Sequence, residues 1–220
     1  IAHSSALRGK VRQSTTRRPG NTIQLKEYEG GFLKISGANS AAGLRSDPIA
    51  VLLFDEVDGY PDDVDGEGDP VEIATRRTDT FQDAVIVKVS TPGKPRGLSR
   101  IESDWNRSDQ RQFHLPCPWC AHMQILCWRD PKGVHRLVWE QDSTRQVIPE
   151  TVRYLCAGCG KGIAEKFKRK MLDGGRWIAA HPERRQVVGF HINALYSPWR
   201  HNWHELAQEW IEAQENPERL

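Results

Sequence analysis

In Val51-Leu52-Leu53-Phe54-Asp55-Glu56, four apolar residues run directly into two adjacent acids. With Ile49 and Ala50 ahead of it, the run is short, unbroken and aliphatic. That pattern predicts a strand at 49–54 buried on both faces, as in a parallel sheet. A second apolar run at 84–89 predicts another buried strand and ends in the turn residues Ser90-Thr91-Pro92-Gly93. Between them lies an acidic loop at 59–70 that carries Gly and Pro. Asp69 followed by Pro70 predicts a capped helix running to Thr78. Strand, helix, strand in this order predicts a crossover unit of a parallel α/β sheet.

The acids matter because of where they fall. Hydrolysis of a nucleoside triphosphate needs magnesium on the β- and γ-phosphates and a group that orients the attacking water. Ligands of open parallel sheets sit at the C-terminal strand tips. Asp55 would hold magnesium there and Glu56 would polarise the water. Ser90 and Thr91, at the neighbouring tip, have hydroxyls that could sense the γ-phosphate. The plain alternatives are a strand ending in two solvated acids and an ordinary Ser/Thr-Pro turn.

Outward from this unit, alternation at 22–27 and 31–36 around Glu29-Gly30-Gly31 predicts a hairpin. Small and turn residues make 37–48 a loop, and 98–109 fits a short helix. Residues 1–20 are polar and basic and read as a loop. The basic clusters Arg8, Lys10, Arg12, Arg17, Arg18 and Lys166, Lys168, Arg169, Lys170 are either solvated faces or contacts to DNA. A net charge of +2 is too mild to argue nucleic-acid binding from bulk charge. With 38% hydrophobic and 27% charged residues the 220-residue chain has globular composition. No basic-then-apolar signal-peptide pattern opens the sequence, and no apolar run in it is long enough for a membrane helix. The chain starts at Ile1 rather than Met, and so is expected to be a piece of a longer protein.

The composition changes after residue 112. Cys117-Pro118-Trp119-Cys120 and Cys156-Ala157-Gly158-Cys159 form two C-x-x-C pairs, 35 residues apart. Without a secretory signal they point to metal rather than disulfides. C-x-x-C lets one tight turn deliver two thiolates, and two such turns complete a tetrahedral zinc site. Gly158 and Gly160 would allow the turn and its backbone donors to sulfur. Four thiolates leave no open position, so the zinc would be structural. A redox pair or free buried thiols are the alternatives. His114, His122 and His135 are nearby candidate ligands, and Cys127 reads as a small core residue. Short β-like pieces at 137–140 and 153–155 make 113–163 a small metal-centred module. Beyond it come a strand at 190–195, a turn at 196–199 and an amphipathic helix at 202–214, with Trp203, Leu206, Ala207, Trp210 and Ile211 on one side. Of eight tryptophans, Trp177, Trp199, Trp203 and Trp210 cluster late; packing is the expected use, since duplex DNA exposes no bases for stacking.

These motifs, in this order, resemble terminase large subunits of the lambda type. The resemblance runs through residues 37–61 with Arg45, Asp55-Glu56 and Tyr60-Pro61, then Ser90-Thr91-Pro92, then 100–111 leading into the first cysteine pair. It continues in Gly189-Phe190-His191-Ile192-Asn193-Ala194-Leu195-Tyr196-Ser197-Pro198, and covers 23–214. The resemblance implies an α/β fold: a partial P-loop NTPase-type parallel sheet with a four-cysteine zinc-ribbon insertion. It implies three parts: 1–112 from the ATPase domain, 113–165 as the zinc ribbon, and 166–220 leading towards a nuclease domain. It also implies Asp55 as magnesium ligand, Glu56 as catalytic carboxylate, Ser90 and Thr91 in a coupling motif, and Arg45 as a phosphate-facing arginine or a structural ion pair. The full-length protein would use ATP and Mg2+, package double-stranded DNA, cut it, and act with a small subunit, a portal and copies of itself in the host cytoplasm. No G-x-x-x-x-G-K-[ST] phosphate loop occurs in the chain, so this piece alone is expected to be inactive. A non-catalytic zinc-ribbon binding module and a P-loop helicase or translocase are the competing readings.

Overall fold

The computed structural model describes residues 10–11, 22–95, 97–199 and 202–215; Arg8, Arg12, Arg17 and Arg18 lie outside the described residues, as does most of the loop expected at 1–20. The chain divides into two compact units, Ile1–Ser103 and Asp104–Leu220.

In the first unit, β1 (Leu25–Tyr28) and β2 (Gly31–Lys34) pair antiparallel, with Tyr28 opposite Gly31. The two-residue loop needs a left-handed residue, and Gly30 supplies it at φ 86°. Helix α1 (Ala41–Arg45) is capped by Ser40, whose hydroxyl accepts from Gly43 N. Strand β3 (Val51–Asp55) and strand β4 (Val85–Val89) are parallel, in register from Val51 opposite Val85 to Asp55 opposite Val89. Helix α2 (Pro70–Thr75) crosses between them, with Asp69 Oδ1 accepting from Val71 N at 2.7 Å and a 3-10 turn extending it over Arg76–Thr78. The expected strand-helix-strand unit is therefore present.

Burial on both faces is not. Phe54, Val57, Val71 and Ala74 form a small core, joined by Leu44, Leu52, Tyr60 and Ile101. The opposite face of the pair is open: Val51 is 58% exposed, Leu53 63% and Val89 56%. The reason is geometric. Alternation sends Leu52 and Phe54 to the helical side and Val51 and Leu53 to the other, where no described element covers them.

Helix α3 (Arg100–Arg107) contains the division between the units. In the second unit, β5 (Arg111–Pro116) pairs with β6 (Met123–Gln124), while β7 (Leu137–Val138), β8 (Arg153–Leu155) and β9 (Gly162–Ile163) form a three-stranded antiparallel sheet. After α4 (Lys168–Asp173), β10 (Arg176–Ala179) joins β5 antiparallel and β11 (Phe190–His191) joins it parallel. Helix α5 (Trp203–Glu215) lays Trp203, Leu206, Ala207 and Ile211 into the core that also holds Leu115, Cys117, Tyr154, Cys156 and Ile163.

The tryptophans divide. Trp203 is fully buried and donates from Nε1 to the Leu195 carbonyl at 2.9 Å. Trp210 stacks on Trp128 and meets Trp139 edge-on. Trp177 sits between Phe113 and Phe190. Trp199 is 86% exposed, so the packing expected of it is absent. No helix among the described residues is long and apolar enough to cross a membrane.

Candidate functional site

Two sites emerge, one at the strand tips and one at the cysteines. At the first, β3 ends on Asp55, which is exposed beside Val89 of β4. The next residue, Glu56, has φ 53° and ψ 51°. A left-handed backbone at a non-glycine residue costs about 1–3 kcal/mol and survives only where its surroundings enforce it. Here a 3-10 turn does so: Gly59 N donates to the Glu56 carbonyl at 2.9 Å and Tyr60 N to that of Val57 at 3.3 Å. The bend turns the Glu56 side chain towards the other strand tip, where Ser90 Oγ lies 3.4 Å from Glu56 Oε2. The Ser90 hydroxyl can donate there or to the Thr91 carbonyl at 3.1 Å, and it accepts from Asp58 N at 3.3 Å. Thr91 itself is exposed. Thus Glu56 and Ser90, 34 residues apart, are brought together. Arg45 is placed differently: its guanidinium pairs with Glu67 at 2.6 Å.

Two residues here escaped the sequence reading. Asp58 is buried, and its carboxylate accepts from Gly93 N and Ile101 N, each at 3.0 Å. Burial alone would raise its pKa. The Ser99 hydroxyl and the backbone N–H groups of Ile101, Gly93 and Arg100 outweigh that and hold it below the usual carboxylate range. Arg100 donates to the carbonyls of Tyr60 and Pro61, both at 3.0 Å, and pairs with Asp69 at 3.2 Å. A local signal existed: Ser99-Arg100-Ile101-Glu102 is a capping-box string, and Glu102 N does donate to Ser99 Oγ at 3.1 Å.

At the second site, Cys117 and Cys120 sit on the turn between β5 and β6, and Cys156 and Cys159 on the turn between β8 and β9. The two turns share a design. Ala121 N donates to the Cys117 carbonyl and Gly160 N to that of Cys156, and these two donors have φ 58° and 70°. Trp119 N points at Cys117 Sγ (3.4 Å) and Gly158 N at Cys156 Sγ (3.3 Å). Gly158 is required by a close approach, since a Cβ there would lie 2.7 Å from His122 Cγ.

All four Sγ atoms lie within 4.8 Å of one another, with Cys120–Cys156 at 3.7 Å and Cys117–Cys159 at 4.0 Å. These separations are far beyond a disulfide bond. A tetrahedron of thiolates about 2.3 Å from zinc has edges of about 3.8 Å, so the donor set fits that ion. Burial pushes the Cys117 thiol up to about 12. At Cys156 burial acts the same way, but donation from Cys159 N, Gly158 N and the neighbouring thiols brings it down to about 7. Among the described residues no histidine joins the cluster. Cys127 is half-buried against Tyr154, its N–H donating to the phenol oxygen at 3.1 Å. Of the second basic cluster, Lys168 is buried on Glu165 and over the Trp203 ring, Arg169 pairs with Asp173, and Lys166 and Lys170 are exposed.

Residues 1–177 match the family described as phage terminase large subunit gpA, ATPase domain. The chain is 30% identical to the terminase large subunit of Enterobacteria phage P21, an alignment covering 91% of this chain and 33% of that protein. It is 28% identical to the terminase large subunit of Escherichia phage lambda, covering 87% and 32% respectively. The chain thus spans about a third of the length of these curated relatives. No solved structure matches it.

Proposed function

Because the chain belongs to the family of the phage terminase large subunit gpA ATPase domain, we propose that it is part of an ATP-driven motor that packages viral DNA into procapsids. The observation that carries this reading is the approach of Glu56 to Ser90 across the tips of two parallel strands. Glu56 would orient the attacking water and take up its proton. Ser90 and Thr91 would sense the γ-phosphate through their hydroxyls, and Asp55 would hold magnesium, mostly through its water shell. Magnesium, when bound, neutralises charge on the β- and γ-phosphates. Arg45 would neutralise phosphate charge only by leaving Glu67, so we read it first as a structural ion pair.

We read the parallel pair as part of a P-loop-type sheet. Its open apolar face supports this, since parallel strands are normally covered on both sides. Helices from a longer protein would cover that face, and further strands would extend the sheet and bring the phosphate loop that this sequence lacks. The chain alone would then be inactive. On this reading 1–112 belongs to the ATPase domain, 113–165 is a zinc ribbon and 166–220 leads towards a nuclease domain. Cys117, Cys120, Cys156 and Cys159 would hold a structural zinc that clamps the two turns together. The full-length protein would also cut DNA. It would act on double-stranded DNA in the host cytoplasm, with a small subunit, a portal and further copies of itself.

Glu56→Gln in the full-length protein should abolish ATP turnover and leave nucleotide binding intact. Unchanged turnover would remove Glu56 from its role.

A further inference from the structure

Three parts of the first unit meet on Asp58. Its backbone N–H donates to Ser90 Oγ, the hydroxyl that faces Glu56. Its Oδ2 accepts from Gly93 N at 3.0 Å, beyond the Ser90-Thr91-Pro92 turn. Its Oδ1 accepts from Ile101 N at 3.0 Å, in the first turn of α3. Hydrogen bonds to an ionised carboxylate are stronger than those between neutral groups, so these are firm ties. Arg100 fastens the same place from the other side by donating to the Tyr60 and Pro61 carbonyls. The tip of β4 therefore cannot shift against Glu56 without pulling on Asp58. Asp58 in turn cannot shift without the start of α3. The 3-10 turn that enforces the left-handed backbone of Glu56 includes Asp58 itself.

We propose that Asp58 is a positioning residue that ties the Glu56–Ser90 contact to the first turn of α3, so that movement of the strand tips during hydrolysis is delivered to that helix. The inference rests on the motor reading above and adds a residue and a route to it.

The test uses the full-length protein. Asp58→Asn keeps the side-chain shape but replaces one acceptor oxygen with an amide donor. ATP turnover should fall about tenfold in kcat with KM for ATP within about twofold, and the length of DNA moved per ATP should fall as well. Ser90→Ala should lower kcat similarly. The double variant should lose less than the product of the two single losses, because both changes act on one chain of contacts from Glu56 to α3. Wild-type kcat in Asp58→Asn, a matching rise in KM, or losses that multiply in the double variant would each overturn the proposal. If Asp58→Asn does not fold, Ser99→Ala removes one donor to the same carboxylate. It should lower kcat about two- to fivefold at constant KM, and wild-type kcat there would overturn the proposal. Glu56→Gln measured in parallel separates the two claims. Normal turnover in Glu56→Gln removes the catalytic role of Glu56 on which this inference rests. An inactive Glu56→Gln beside a wild-type Asp58→Asn sinks only the role of Asp58.

Discussion

Stripping metal from the four-cysteine cluster should unfold the second unit and leave a specific optical signature. Cys117 and Cys156 are buried in the same core as Leu115, Tyr154, Ile163 and Trp203, so the cluster is continuous with the packing of 104–220. Structural zinc binding is worth about 10–16 kcal/mol in small four-ligand sites. A whole domain is stable by only about 5–15 kcal/mol. Removing the ion therefore removes a contribution as large as the net stability. All eight tryptophans, from Trp105 to Trp210, lie in this unit, so emission reports on it alone. Chelation should shift the emission to longer wavelength as Trp203 becomes wet, and should abolish the cooperative melt followed by that signal. Cys156→Ser should do the same without chelator. Cys127→Ser, which lies outside the cluster, should retain the metal. Purified protein containing no zinc at any stoichiometry would rule out a structural zinc here, as would an unchanged spectrum and melt after verified metal removal.

Gly175→Ala should destabilise the second unit by about 1–3 kcal/mol in a thermal or urea melt, because the added Cβ would lie 2.4 Å from Phe113 Cζ and 2.7 Å from Leu115 Cδ2. Asp109 is buried; burial tends to raise its pKa, but Arg111 and Gly189 N outweigh it and hold it below the usual range. Its contribution to stability is then present above the unfolded carboxylate value of about 3.9 and is lost as pH falls through the lower folded value. Melting temperature should drop across that window, and Asp109→Asn should lower it at neutral pH while flattening the dependence. Leu53→Lys should barely alter the melt of this chain, since Leu53 is 63% exposed. In the full-length protein the same change should destabilise by several kcal/mol if further helices cover that face; equal tolerance in both would argue against a completed sheet.

What was legible in the sequence was what short-range chemistry decides. Asp69-Pro70 announced a helix start, Glu29-Gly30 a tight turn, and the C-x-x-C pairs two matched turns with donors aimed at sulfur. Burial was less legible. The composition of Val51-Leu52-Leu53-Phe54 says that the strand prefers cover on both sides, but whether cover exists depends on elements far away in the chain. The same holds for Asp58, whose partners Gly93 and Ile101 lie 35 and 43 residues on. It read as one more acid in an acidic loop. The joint core of the cysteine turns and α5 was hidden for the same reason: the helix pattern showed which side is apolar and not what it meets.

Glu56, aimed at Ser90 across the strand tips, is proposed to supply the carboxylate of a DNA-packaging motor. The most direct measurement is DNA protected from nuclease inside procapsids, using the full-length protein carrying Glu56→Gln in an ATP-fuelled packaging reaction. The expected result is protected DNA at the level seen without ATP, with ATP still bound. Wild-type amounts of protected DNA would contradict the account.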